Sequence, residues 1–370
     1  MTKKVIEASH AIAEAVKLCE PKVIASYPIT PQTHIVEKLA DIVANGELDA
    51  EYINVESEHS AMSACVGAQA TGVRTFTATS SQGLALMHEI LFIASGMRLP
   101  IVMAVANRSL SAPLNIWNDW SDSFASRDSG WLQLYCETSQ EAFDTIVQAY
   151  KIAEKINLPA MVCIDGFFLS HVYEPVDIAT QADIRKFLPQ YSKPLSFDNP
   201  VTQGSWAGPE HYQNFKLEQQ KAMDEALKEI VSTNDEFEKM FGRSYGNGLL
   251  EEFNMEKAKY ALLSMGTMCG TIKHVLIKHE ITDVGLIRLK SFRPFPAAAL
   301  RKATSKLEKV AVIEKDVSLG STGALFAECA TCTTNVNVDF ITGLGGKDVT
   351  EAMVLDMIEK MKKENGVFWV

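Results

Sequence analysis

Clustered positive charge is what this 370-residue chain most plainly lacks: 35 Lys and Arg stand against 46 Asp and Glu, a formal net charge of -11. Binding nucleic acid requires grouped cations that displace counterions from phosphates, so nucleic acid is not an expected partner. Long apolar runs are missing too. None reaches the roughly 18 to 20 residues that span a bilayer, and Met1-Thr-Lys-Lys4 leads into a mixed amphipathic stretch, not a signal-peptide core. A cytoplasmic protein with no membrane partner is expected. The seven cysteines, at 19, 65, 136, 163, 269, 329 and 332, are odd in number and lack disulfide-like spacing, which fits a reducing compartment. No tight run of four cysteines offers an iron-sulfur cluster its ligands. Cys329 and Cys332, in the predicted helix Gly323–Cys332, read first as small apolar residues, with a redox or metal role as the alternative. A dinucleotide or phosphate fingerprint is also absent. Gly266-Thr-Met-Cys-Gly270 lacks the third glycine and the lysine of the better-defined loops, and it and Gly343–Gly346 read as turns.

What is present is apolar material, 47% of residues, in a chain long enough for two cores. Strand-like and helix-like runs alternate up to about residue 165, the pattern of a parallel sheet covered on both faces. Strands are expected at Lys22–Ser26, Tyr52–Val55, Arg74–Ala78, Ile101–Ala106 and Ala160–Ile164, and helices at Gln32–Ala44, Glu58–Thr71, Leu84–Gly96 and Gln140–Lys155. Ser109–Trp131, with three tryptophans among Pro, Asn, Asp, Ser and Gly, reads as a structured loop. Its tryptophans suit either packing or the lining of a pocket or subunit contact. Beyond Val176 the alternation fades. Pro194–Tyr212 reads as an excursion and Phe215–Ser232 as a charged helix, before strands at Ala258–Ser264, Val284–Arg288, Val310–Ile313 and Val338–Ile341 restore the α/β theme. The expected fold is α/β with two doubly wound domains, residues 1–250 with the excursion at about 177–250, and residues 251–370.

Three short texts fall in order at successive strand ends: Ser26-Tyr-Pro-Ile-Thr-Pro-Gln32, Val55-Glu-Ser-Glu-His-Ser-Ala61 and Ala78-Thr-Ser-Ser-Gln-Gly-Leu84, with Asn107-Arg108 at a fourth. Ligands of open parallel sheets bind beyond the carboxyl ends of the strands, so Glu58, Thr30 and Arg108 are expected to face one crevice. A carboxylate, a hydroxyl and a guanidinium there suit thiamine diphosphate and an anionic 2-oxo acid. The coenzyme needs one carboxylate against its pyrimidine ring. Glu58 is the candidate, since Glu56 precedes the helix start and would face solvent. Each residue also has a plainer reading. Glu58 could be a first-turn carboxylate favoured by the helix dipole, Thr30 the cap of a helix begun by Pro31, and Arg108 the ion-pair partner of Asp119 or Asp122.

With Asn107-Arg-Ser-Leu-Ser-Ala-Pro-Leu-Asn-Ile-Trp117, Arg127-Asp-Ser-Gly-Trp131 and Phe292-Arg-Pro-Phe-Pro296 added, the chain resembles the alpha subunits of multi-subunit pyruvate:ferredoxin oxidoreductases (pyruvate synthases), within the 2-oxoacid:ferredoxin oxidoreductases. The resemblance covers nearly the whole length, and the last text is similar to their transketolase C-terminal-like domain. It implies that Glu58 contacts the aminopyrimidine with Gln82 and Pro28 nearby, that Thr30 hydrogen-bonds the substrate, and that Arg108 pairs with its carboxylate. It implies reversible conversion of pyruvate and coenzyme A to acetyl-CoA and CO2. The Gly-Asp-Gly stretch with a downstream Asn that holds Mg²⁺ and the diphosphate is missing, and Asp165-Gly166 lacks the leading glycine. A diphosphate needs a hard cation and its carboxylate ligand, so a partner must supply that half of the site. The implied partners are a beta subunit bringing Mg²⁺ and a [4Fe-4S] cluster, a ferredoxin-like delta subunit with further clusters, a gamma subunit, and ferredoxin as carrier. Trp120 departs from the polar residue expected at its position. The alternatives are a branched-chain or aromatic 2-oxo acid as substrate, a transketolase-like thiamine transferase, or a non-catalytic scaffold subunit.

Overall fold

A computed structural model describes residues 2–193, 195–196, 198–204 and 206–370. Pro194, where the excursion was expected to begin, lies outside the described residues, as do Phe197 and Ser205. The chain opens with β1 (Thr2–Glu7) and α1 (Ala8–Cys19), then alternates through β2 (Val23–Ser26), α2 (Thr33–Ala44), β3 (Glu51–Asn54), α3 (Glu58–Ala70), β4 (Thr75–Thr79), α4 (Ser81–Gly96) and β5 (Val102–Asn107). There follow α5 (Ser121–Ala125), β6 (Leu132–Tyr135), α6 (Ser139–Ile156), β7 (Ala160–Asp165), β8 (Tyr173–Ile178), α7 (Gln181–Phe187) and α8 (Pro209–Phe241). The remainder comprises β9 (Leu250–Phe253), β10 (Tyr260–Ser264), α9 (Met268–Lys278), β11 (Val284–Leu289), β12 (Ser291–Arg293), α10 (Ala297–Thr304), β13 (Lys309–Glu314), α11 (Ala324–Cys332), β14 (Val336–Ile341), α12 (Glu351–Lys363) and β15 (Gly366–Trp369).

The first sheet has the order β12-β6-β7-β5-β4-β2-β3, and all its pairs are parallel except β12 against β6. The central strands β4, β5 and β7 are buried along their whole length, as expected of a sheet covered on both faces. One face is covered by α1, α2 and α6. α1 is buried nearly all round, with Ala8, Ala11, Ile12, Ala15 and Val16 fully enclosed. On the other face, α3 and α4 share a core with the second sheet through Met62, Met103, Phe124, Tyr135, Phe292 and Leu325. The second sheet runs β15-β14-β13-β10-β11-β9, parallel except for β9, with α9 and α12 on its far face. Beside these, β1 pairs antiparallel with β8.

Two expected helices differ at their ends. α8 runs from Pro209 to Phe241 rather than from Phe215 to Ser232. Pro209 occupies the first turn after Gly208, and Gly242 closes the helix at φ 69°, the positions at which these two residues favour starting and ending a helix. α4 begins at Ser81 rather than Leu84, with Ser81 itself in the left-handed region at φ 47°.

A buried charge network joins the two sheets. Arg288 on β11, 1% exposed, grips Glu141 on α6 through Nη1 at 2.7 Å and Nη2 at 3.1 Å, and Glu251 on β9 through Nε at 2.8 Å. Lys290 Nζ lies 2.7 Å from Glu141 Oε1. Burial pushes the Glu141 carboxyl upward, but the Arg288 and Lys290 charges outweigh it and hold the pKa at about 2. A depressed carboxylate pKa stabilises the fold above the ordinary carboxylate range, and that stability is lost as pH falls toward about 2. Glu141→Ala strands the buried Lys290 and leaves Arg288 with only Glu251 and Glu137, and is expected to cost about 3–5 kcal/mol, measured by urea unfolding. A loss below about 1 kcal/mol, the range of an exposed pair, would show that the network is solvated.

Candidate active site

The order of the first sheet sets which loops meet. β2 leads outward to β3 on one side and β4 to β5 on the other, so the crevice beyond the ends of β2 and β4 is the switch point where such sheets bind ligands. Thr30 follows β2, Glu58 follows β3, Ser81-Gln82-Gly83 follows β4, and Asn107-Arg108 closes β5. Glu58 is the first residue of α3, because Ser57 caps the helix by accepting from Ser60 N at 3.2 Å. Its side chain is only 6% exposed, yet among the described residues it makes no hydrogen bond or ion pair. Glu56 is exposed and accepts from Ser60 Oγ at 2.5 Å. Glycine at 83 makes room for the carboxylate: a Cβ there would lie 2.7 Å from Glu58 Oε1 and would also press on Thr79 Oγ1. Thr79 Oγ1 and Ser80 Oγ are buried without partners. Unused polar atoms around an unpaired carboxylate fit a polar heteroaromatic ring that can donate to Glu58.

Arg108 is likewise 6% exposed. Its guanidinium donates from Nε to Asn115 O at 2.8 Å and from Nη1 to Thr30 O at 3.0 Å. It has no carboxylate partner among the described residues. The expected alternative of pairing with Asp119 or Asp122 is not what forms: Asp122 accepts from the Arg108 backbone N–H at 3.0 Å instead. Burial draws the Arg108 pKa down while Asp122 acts the other way. Thr30 does not cap a helix either, since α2 starts at Thr33 behind Gln32. The Thr30 residue is exposed, and it is tied to Arg108 through its own carbonyl. Gln82 is half-buried, with Oε1 2.6 Å from Ser81 Oγ, and Pro28 is exposed in the turn between β2 and α2.

The tryptophans of the Ser109–Trp131 loop divide. Trp120 and Trp131 are enclosed, donating to Asp165 Oδ1 and to Leu91 O, each at 2.9 Å. Trp117 is half exposed and packs on Phe167 with ring centroids 4.7 Å apart. The departure at Trp120 is therefore a packing feature with one satisfied N–H.

Two buried aspartates, Asp165 at the end of β7 and Asp122 on α5, hold the site together without a signal in the sequence. Asp165 Oδ2 accepts from Lys315 Nζ at 3.2 Å and from Thr267, and so ties β7 to the second sheet. Burial raises the Asp165 pKa, but Lys315 and the hydroxyl and indole donors bring it below the usual value. Asp122 joins the ends of β4 and β5. Neither aspartate stands in a recognisable spacing, so only the fold brings its donors together. Cys329 is buried and Cys332 Sγ points to Glu328 O at 3.4 Å, and no cluster among the described residues suits a metal ion.

Two mostly parallel sheets, with an unpaired carboxylate in a switch-point crevice, suit the class of thiamine diphosphate-binding α/β proteins. The comparisons with known proteins bear that out. Residues 14–235 match the family described as pyruvate flavodoxin/ferredoxin oxidoreductase, thiamine diphosphate-binding, and residues 258–354 match the pyruvate:ferredoxin oxidoreductase core domain II. The chain belongs to the pyruvate flavodoxin/ferredoxin oxidoreductase family. It is 53% identical to pyruvate synthase subunit PorA of Methanocaldococcus jannaschii, over 99% of this chain and 97% of the relative. To the subunit of the same name from Methanothermobacter thermautotrophicus it is 49% identical, over 100% and 98%. It is 44% identical to ketoisovalerate oxidoreductase subunit VorA of Pyrococcus horikoshii, over 98% and 94%. Among solved structures, the 2-oxoglutarate:ferredoxin oxidoreductase of Magnetococcus marinus shares the fold at TM-score 0.80 and 18% identity, with 96% of this chain covering 65% of that one. A split-gene transketolase overlaps at TM-score 0.55 and 11% identity, over 97% and 98%.

Proposed function

We propose that this chain is the alpha subunit of a pyruvate synthase, converting pyruvate, coenzyme A and two oxidised ferredoxins reversibly to acetyl-CoA, CO2, two reduced ferredoxins and a proton. The observation that carries the reading is the pair of nearly buried, unmatched charges, Glu58 beyond β3 and Arg108 beyond β5, at the carboxyl ends of strands that flank β2 and β4 in one sheet. Burying a charge without a partner is costly, and perturbed or unmatched ionisable groups gather where ligands complete them. Thiamine diphosphate, when bound, supplies the carbon nucleophile and the electron sink. Glu58 would accept a hydrogen bond from its pyrimidine and fix the ring's tautomer, with Gln82 and Pro28 beside it. Arg108, its Nε and Nη1 already committed to carbonyls, would offer its remaining edge to the pyruvate carboxylate. The Thr30 hydroxyl would donate to the keto oxygen as charge develops there.

The partner assignments rest on the family resemblance and agree with what the chain lacks. Its Asp165 carboxylate is occupied by protein donors, which leaves no Gly-Asp-Gly motif to hold Mg²⁺ and the diphosphate. A beta subunit would bring both with a [4Fe-4S] cluster, and gamma and delta subunits would complete a cytoplasmic complex that passes electrons to ferredoxin. No helix among the described residues is long and apolar enough to cross a membrane. The domain division proposed is 1–250 and 251–370, with β12 of the second part adding to the first sheet. Co-expression with the partner subunits, followed by thiamine and iron analysis and assays with pyruvate, 3-methyl-2-oxobutanoate and 2-oxoglutarate, tests the reading. Pyruvate is expected to give the highest kcat/KM. Higher kcat/KM on the branched acid would reassign the substrate, and no turnover of any of the three would remove the proposal.

A further inference from the structure

Asp122, on α5, holds four donors and no cation. Its Oδ2 accepts from the backbone N–H of Ser81 at 2.9 Å and of Arg108 at 3.0 Å. Its Oδ1 accepts from Asn107 Nδ2 and from Ser123 N, each at 2.7 Å. The carboxylate is 1% exposed and makes no ion pair among the described residues. The two backbone amides belong to the residues that leave β4 and β5, flanking the crevice. One is next to Gln82 and the other carries the guanidinium. Ser81 is also in the left-handed region, at φ 47°, where a serine persists only if its surroundings fix it. One carboxylate oxygen thus spans two loops that no backbone pairing joins beyond Thr79↔Val105, beside a second tie from Ser81 Oγ to Ser109 O at 2.6 Å.

We propose that Asp122 is a positioning residue for the reaction, its ionised carboxylate clamping the Ser81 and Arg108 backbones in the register that aims the Arg108 guanidinium at the substrate carboxylate. The inference rests on the substrate role proposed above for Arg108. It follows from geometry that only the ionised form can accept all four donors, because a protonated oxygen becomes a donor facing N–H groups. Burial pushes the Asp122 pKa up to about 6, opposed by the Asn107, Ser81 and Arg108 donors and reinforced by Asp119. The other groups facing it are the Arg108 guanidinium, Tyr135 on β6, Cys163 on β7 and Asp316 after β13. Near and below about pH 6 the clamp therefore takes up a proton, and pyruvate binding weakens.

The test uses the assembled complex with pyruvate as the varied substrate. Asp122→Asn sets an amide N–H₂ against two of the four donors. It is expected to raise the pyruvate KM about tenfold or more, a displacement effect of the kind a small misplacement produces, with bound thiamine diphosphate unchanged. Asn107→Ala removes one donor to Oδ1 and leaves the backbone clamp. It should move the acid limb of kcat/KM upward by about half a pH unit or more, with near wild-type KM above that limb. A wild-type pyruvate KM in Asp122→Asn overturns the proposal. So does an Asn107→Ala acid limb superimposable on wild type, and that second result decides the matter even if Asp122→Asn does not assemble. Failure of the underlying reading looks different, since Arg108→Ala would then leave the KM unchanged as well.

Discussion

Glu58→Ala in the assembled complex is expected to lower kcat for pyruvate by about 10²–10⁴-fold, the range for losing a group that governs proton placement in a reaction, while the protein stays folded. The second half of that statement separates function from structure. An unpaired carboxylate that is 6% exposed contributes little to holding the fold together. Removing it forfeits the first-turn dipole interaction, about 0.3–1 kcal/mol, and relieves a desolvation cost acting the other way. Unfolding free energy should therefore change by less than about 1 kcal/mol. Glu141→Ala is the opposite case. Glu141 is equally buried but fully paired, so its loss is expected to weaken the fold. Gly83→Ala probes the same point without removing the carboxylate, since the added methyl would sit 2.7 Å from Glu58 Oε1 and displace it. Comparable kcat in wild type and Glu58→Ala, at equal thiamine content, would falsify the role assigned to this residue.

The unequal fates of these carboxylates show what sequence could and could not carry. Glu58 was legible because everything that places it is local. A short strand, a serine cap and a first-turn glutamate lie within a few residues, and the same holds for Thr30 beyond β2 and Arg108 at the end of β5. Parallel strands buried on both faces read as mostly apolar runs, which makes β2, β5 and β7 visible, while β4, Thr75-Phe-Thr-Ala-Thr79, shows through its β-favouring Thr and Phe. The short β6 was not visible, since Leu132–Tyr135 sits directly behind an irregular loop. Nor was β12, three residues that leave the second half of the chain to pair with β6.

Long-range polar contacts were the least accessible. Glu141 and Arg288 meet across 147 positions, and Lys315 reaches Asp165 across 150. No periodicity encodes such pairs. Asp122 was considered only as an ion-pair partner for Arg108. It stands close enough in sequence to suggest that contact, yet its oxygens go to backbone amides. The choice is physical. A buried carboxylate satisfied by several N–H groups needs no cation, and the arrangement leaves the guanidinium free of any carboxylate of its own.

That freedom sets the expectation for Arg108→Ala, a rise in pyruvate KM of about 10- to 150-fold, corresponding to the 1.5–3 kcal/mol of a charge-assisted hydrogen bond at about 1.4 kcal/mol per decade. The effect should fall mainly on KM, because the carboxylate of pyruvate is fully charged in the bound ground state and gives up that charge as CO2 leaves, so the pairing stabilises bound substrate more than the decarboxylation transition state. The substitution also strips Thr30 O and Asn115 O of their donor, which loosens the turn carrying the Thr30 hydroxyl. Arg108→Lys separates the two losses. An ammonium keeps the positive charge but cannot occupy two carbonyls and still present a planar edge to a carboxylate, so it should recover only part of the affinity. Steady-state kinetics on both variants at matched thiamine and iron content make the measurement. A pyruvate KM within about threefold of wild type in Arg108→Ala, less than half a decade on that scale, would mean that the substrate carboxylate is held elsewhere.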